Sequence, residues 1–173
     1  PKDRFHFIIP TEEYQQQVSS GASAGYGARF ALIRSSVPRD VRVAYTEAGS
    51  PAEAASAQLK RGTEILEIDG VDVVNGGSQA DVDVINAGIF PSASGETHTF
   101  LVRDAGSTSA RTITMTSDTV TSAPVRQTRV IDTPSGKVGY MLFNTFGTSI
   151  AEEGLFDAIT SFSNQGVGDL VLD

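Results

Sequence analysis

The sequence predicts an α+β chain, and three stretches carry that prediction. The first is 43–73, VAYTEAGSPAEAASAQLKRGTEILEIDGVDV, which divides into a strand, a short capped helix, a Gly62 turn and a second strand. The second is 78–91, where a capping signal opens a helix that Gly88 and Pro91 close. The third is 137–173, which reads strand, helix, strand over a length that suits a parallel crossover.

Within the first stretch Val43–Thr46 is a strand, and Ser50 is placed to start a helix. Its hydroxyl can accept from the Glu53 amide, Glu53 can reach back to the Ser50 amide, and Pro51 stands where a helix needs no donor. In Glu64–Ile68 the alternation is imperfect, so Ile65, Leu66 and Ile68 predict a strand buried on both faces. Asp69-Gly70 then supplies turn chemistry.

Taken from the start, Phe5, Phe7, Ile8 and Ile9 form an apolar opening segment, and Pro10 to Tyr14 reads as a helix start with acid in its first turn. That helix ends near Ser20-Gly21. Small residues from Gly21 then run through Gly25-Tyr26-Gly27-Ala28 and Arg29 into a strand from Phe30 to Arg34. This is not a dinucleotide loop, because Phe30 stands where a third glycine belongs and a strand follows it. After a brief strand at Val71–Val74, Ser78 opens the helix that places Val82, Ile85 and Ile89 on one face. Thr97–Val102 and Arg111–Thr116 predict a hairpin that closes the sheet. From Ser117 to Gly136 the composition turns to Thr, Ser, Pro and Arg, with an extended run over Val125–Ile131, and reads as a linker between modules. Lys137–Phe143 is a strand, Ser149 to Glu152 a capping box, and Leu155, Ile159 and Phe162 fall on one helical face that Gly166 ends. Asp169–Leu172 is a buried strand.

Composition narrows the partners. The chain has 173 residues, enough for one full core and part of a second. Thirteen Lys plus Arg against 21 Asp plus Glu leave a formal charge of −8 with no basic run, so nucleic acid is not an expected partner. There are no cysteines, which removes disulfides and thiolate chemistry. No apolar run approaches the roughly 18 residues of a membrane span, and the first residues carry no signal-peptide pattern. The start in Pro1-Lys2 and the stop in Leu170-Val171-Leu172-Asp173 read as an excised piece of a longer chain. No cofactor and no metal are expected. Asp69, Asp72, Asp81 and Asp83 lack EF-hand spacing, and two of them have turn or cap roles. His6 and His98 have no carboxylate or serine motif beside them in sequence and read as structural.

The ordered phrase Gly49-Ser50-Pro51-Ala52, Leu59-Lys60-Arg61-Gly62, Ile65-Leu66-Glu67-Ile68-Asp69-Gly70 resembles the PDZ family. Gly25-Tyr26-Gly27-Ala28 is similar to that family's Gly, apolar, Gly, apolar loop before a strand. The resemblance implies that the amides of Tyr26, Gly27 and Ala28 bind a peptide's C-terminal carboxylate, since a chain without bulky side chains can turn successive N–H groups inward. It implies further that the peptide lies as an added strand beside Arg29 and Phe30 and against the helix of Val82 and Ile85, in an apolar pocket for its last side chain.

A PDZ-like stretch followed by Gly139-Tyr140, Phe146 and Leu172-Asp173 resembles the carboxyl-terminal processing, or tail-specific, serine peptidases over nearly the whole sequence. The implied fold is a PDZ-like partly open β-barrel with two helices, then the first β-α-β unit of an α/β peptidase domain. The implied domains are an opening segment and helix at 1–20, a PDZ domain at 21–118, a linker at 119–136 and the start of the catalytic domain at 137–173. The family's serine nucleophile and lysine base lie past its Leu-Asp segment, so no catalytic residue is assigned here; Lys60 and Lys137 read as surface residues. The implied function is recognition of protein or peptide C-termini with apolar ends and their delivery to a Ser-Lys site elsewhere in the parent. The alternative is a non-catalytic PDZ adaptor. The resemblance implies a periplasmic or cell-envelope location and says nothing of oligomeric state.

Overall fold

The computed structural model describes residues 11–173, so the apolar opening segment and Pro10 lie outside the described residues. The described residues form two compact units, one of residues 24–120 and one that joins 121–173 to residues 11–23. The architecture is mixed α+β, and the strands of the described residues do not close into a barrel.

The unit of residues 24–120 is built on one antiparallel sheet. Its strands are β2 (Ala28–Arg34), β3 (Asp40–Thr46), β4 (Glu64–Ile68), β5 (Val71–Asp72), β6 (Thr97–Arg103) and β7 (Ala110–Thr116), in the order β2-β3-β4-β6-β7 with β5 paired to β4. β6 and β7 make the expected hairpin, with Thr97 opposite Thr116. Alternate residues supply the core: Val41 and Val43, Phe100 and Val102, Ile113 and Met115 are all buried. β4 obeys a different rule from the one its sequence suggests. Ile65 and Ile68, three apart, both face the core because the β4–β6 register shifts between Ile65 and Glu67, so a bulge and not two-faced burial explains the broken alternation.

The helix expected from Ser50 does not form. Residues 48–57 are successive turns and bends, and this unit holds one α-helix, not two: α2 (Gln79–Ile89). Arg111 fixes the end of this segment, its guanidinium donating to the carbonyls of Ala57 at 2.7 Å and Gln58 at 3.2 Å. Gln58 itself turns left-handed at φ 47, and the Leu59 amide closes back on the Ala52 carbonyl at 2.9 Å. Ala52, Ala57 and Leu59 are thereby buried from a turn and not from a helical face. Glu53 caps the amide of Gly49 instead of Ser50. α2, by contrast, begins as its sequence predicts, with Ser78 and Asp81 forming a complete capping box.

The other unit contains α1 (Thr11–Ser20), β9 (Val125–Thr133), β10 (Gly136–Phe143), α3 (Ser149–Asn164) and β11 (Val167–Leu172). β10 pairs parallel with β11 across α3, the crossover expected from the sequence, and antiparallel with β9 on its other side. β9 occupies most of the stretch that composition suggests is a linker. Thr148, one residue before the expected cap, holds the start of α3 through the Ala151 amide. Ala151, Ala158 and Phe162 are the buried residues of α3, while Ile159, expected inward, is exposed. Phe162 lies on Gly139, where an added Cβ would meet its ring at 3.0 Å. A short ribbon of β1 (Ala22–Gly25) and β8 (Asp118–Thr121) completes the secondary structure, and both unit boundaries fall inside it. No helix of the described residues is long and apolar enough to cross a membrane.

Gly88 of α2 sits against β4 so closely that a Cβ would fall 2.2 Å from Ile68 Cγ2. Gly88→Ala should therefore lower stability by about 1–3 kcal/mol. A denaturant midpoint unchanged by this substitution would contradict the packing described.

Candidate functional site

The glycine loop and the strand it opens lie in one continuous segment. Gly25 ends β1, Tyr26 and Gly27 turn, and Ala28 begins β2. Gly27 adopts φ +71, and a Cβ there would stand 2.2 Å from Ser50 Cβ and 2.5 Å from its Oγ. Only glycine meets both demands. The loop is pinned from the 47–52 segment by two bonds: the Glu47 amide donates to the Gly27 carbonyl at 2.7 Å, and the Ala52 amide to the Tyr26 carbonyl at 2.9 Å.

These bonds set which way β2 faces. With the Gly27 carbonyl turned toward β3, alternation turns the N–H and C=O of Ala28 to the other side. Val43 spends both its backbone groups on the Gly62–Thr63 turn, so Phe30, its partner across the register shift, also faces away from β3, and Leu32 follows. β2 is an edge of the sheet. Its outward backbone row is thus Ala28, Phe30, Leu32.

The side chains divide differently. Tyr26 runs into the core, 2% exposed, and meets Phe100 edge-on at 5.5 Å. Burial, with the charges of Asp69 and Glu96, pushes its hydroxyl well above the ordinary range for a phenol. Neither that hydroxyl nor Ser50 Oγ has a hydrogen-bond partner. Arg29 is exposed, and Ala28 and Phe30 pack partly against the core. Ile85 is 7% exposed and belongs to that same core, whereas Val82 is half-buried outside it. α2, which carries both, lies against β4 and β5.

Two features escaped the sequence. Gly49-Ser50-Pro51-Ala52 does more than build the fold, since it seats the glycine loop. His98 does have carboxylate neighbours: Nδ1 lies 2.6 Å from Asp69 Oδ2, and Nε2 is 3.8 Å from Glu96 Oε2. Asp69 is 29 residues away in sequence, so only strand pairing could have revealed it. Burial pushes the Asp69 carboxyl up, but the Thr99 amide and His98 outweigh it and hold the group below its ordinary value.

The class of molecule is thus an α+β protein in which a glycine loop opens an edge strand in one unit and a parallel β-α-β crossover forms another. No family model matches the chain. A carboxyl-terminal-processing protease of Picosynechococcus sp. is 32% identical over 126 residues, 72% of this chain and 28% of that protein. A solved structure described as an S41 protease from Bacteroides fragilis aligns over 100% of this chain and 49% of that one, at 21% identity and a TM-score of 0.47. The chain is related to a carboxyl-terminal-processing protease over those residues, and spans about 28% of the length of that relative.

The lowered Asp69 carboxyl makes a pH prediction. A depressed folded-state value contributes stability that is present above the ordinary value of 3.8 and is lost as pH falls through the folded value. Asp69→Asn keeps a residue that tolerates the left-handed φ of 49 and removes the titration. The variant should be less stable than wild type at pH 7 and should close that gap below pH about 3.8. Parallel stability curves from pH 7 to pH about 2 would contradict the assignment.

Proposed function

We propose that residues 24–120 are a PDZ-type module that binds protein C-termini by strand addition, for a tail-specific serine peptidase whose Ser-Lys site is supplied elsewhere in the parent. In this reading the peptide pairs with the outward row of Ala28, Phe30 and Leu32. Its carboxylate rests at the amides of Tyr26, Gly27 and Ala28, and its last side chain meets Phe30 and Val82, with Ile85 as the floor. Residues 137–173 then contribute the opening β-α-β unit of the catalytic domain. No residue of this chain is assigned as nucleophile or base.

The observation that carries the reading is the open edge of β2, which starts at the glycine loop in a chain related to a carboxyl-terminal-processing protease. The energetics favour an apolar, free C-terminus. About four added backbone bonds at about 1 kcal/mol each leave a shortfall against the about 8 kcal/mol of micromolar affinity. Burial of the last side chain and the carboxylate must supply the difference.

Substitution at Gly27 is a poor probe, because the bulk that would block a ligand also strikes Ser50. Calorimetry with a peptide of apolar last residue separates the contributions cleanly. A free carboxylate should bind with micromolar affinity, and C-terminal amidation should weaken binding at least about tenfold. Equal affinity of the two peptides would remove the carboxylate site and favour an adaptor that reads internal sequence.

A further inference from the structure

At the far end of the β2–β3 pair from the glycine loop, Arg34, Arg39, Arg42 and Arg103 line a recess of about 220 Å³ together with Asp40 and Glu64. Four guanidinium groups against two carboxylates leave two positive charges, in a chain whose net charge is −8. Part of this cluster has a structural task. Arg42 bonds Asp40 at 2.8 Å and Glu64 at 2.6 Å, and Arg103 Nε bonds Glu64 at 2.7 Å, so Glu64 ties β3, β4 and β6 together.

Arg34 and Arg39 add nothing to that tie. Arg34 Nε donates to the Pro38 carbonyl within its own hairpin, and Arg39 Nη1 to the carbonyls of Val73 and Gly76. No carboxylate of the described residues forms an ion pair with either. The charge of Arg39 also reaches Asp81, but that carboxylate is occupied at the start of α2. Each of the four arginines keeps N–H groups with no acceptor among the described residues: both Nη of Arg34, Nε and Nη2 of Arg39, and Nη1 of Arg42 and Arg103.

We propose that this recess is a binding site for a phosphate-type oxyanion. The free donors are guanidinium N–H groups, which match tetrahedral oxyanions in pairs. The surplus of two charges balances the charge of about −1.5 to −2 on a phosphate group. The volume is below the about 300–1,000 Å³ of sites for drug-sized molecules, which suits a small anion or a single headgroup. Residues 28–33 of β2 lie between the glycine loop and Arg34, about 20 Å of extended chain, so the recess is distinct from the carboxylate site at that loop.

The test uses the 173-residue chain at constant ionic strength, with inorganic phosphate titrated by calorimetry. A parallel assay sediments the protein with vesicles of phosphatidylcholine alone or mixed with phosphatidylglycerol. Arg34→Gln combined with Arg39→Gln should weaken binding about tenfold or more. Arg61→Gln, on an exposed turn outside the recess, should leave it unchanged. Arg34→Gln alone loses one protein bond inside its hairpin and serves if the double variant misfolds. Saturable binding of inorganic phosphate that the recess variants lose supports a free phosphate ligand. Binding only to phosphatidylglycerol vesicles, again lost in those variants, supports a lipid headgroup as the source. Absence of both, or binding that Arg34→Gln and Arg61→Gln alter equally, overturns the site.

Discussion

The clamp on Gly27 fixes what the rest of the larger unit can present. Two amides from the 47–52 segment hold the carbonyls of Tyr26 and Gly27, and Ser50 packs against the glycine where any Cβ would collide. A turn held this firmly determines the phase of the strand that leaves it. Ala28, Phe30 and Leu32 are therefore directed away from β3, and Tyr26 is directed into the core. An edge strand left open in this way is usually blunted by charge, bulge or cover. Here Leu32 and Ile33 are 57% and 64% exposed, and no strand of the described residues pairs on that side.

The second unit rests on a comparable close approach. Gly139 of β10 lets the Phe162 ring lie on the strand, so α3 can cross over β10 and β11 with Ala158 and Met141 buried beneath it. A parallel pair needs such a crossover, and the glycine permits a tight one. The buried cluster is small, and the outer side of α3 exposes Phe156 at 71%.

Much of this was legible in the residues. Capping chemistry located α2, period-two alternation located the β6–β7 hairpin, and the order of strand, helix and strand gave the parallel pair. The misreadings share one cause, which is that distant partners outcompeted local signals. The Ser50 phrase has every local mark of a helix start, yet the Ala52 amide is held by the distant Tyr26 carbonyl and the Ala52 carbonyl by the Leu59 amide, which breaks the helical ladder. Ile65 and Ile68 suggest a strand buried on both faces until a bulge turns them to one side. The extended run expected over Val125–Ile131 is present as β9, which pairs with β10 and packs Val125 and Val130 on the small core around Phe162. At the candidate site, the glycine spacing marked a turn that opens a strand, but nothing local revealed that Ala52 and Glu47 fasten it.

The central claim is that β2 is an unoccupied strand position whose free groups are those of Ala28, Phe30 and Leu32. Site-resolved amide hydrogen exchange measures this directly, with and without a saturating peptide that ends in an apolar residue. The account predicts slow exchange at Arg29 and Ala31 throughout, fast exchange at Ala28, Phe30 and Leu32 in the free protein, and protection of these three once the peptide is bound. Protection of all five amides before any peptide is added, or no change at the three on addition, would contradict it.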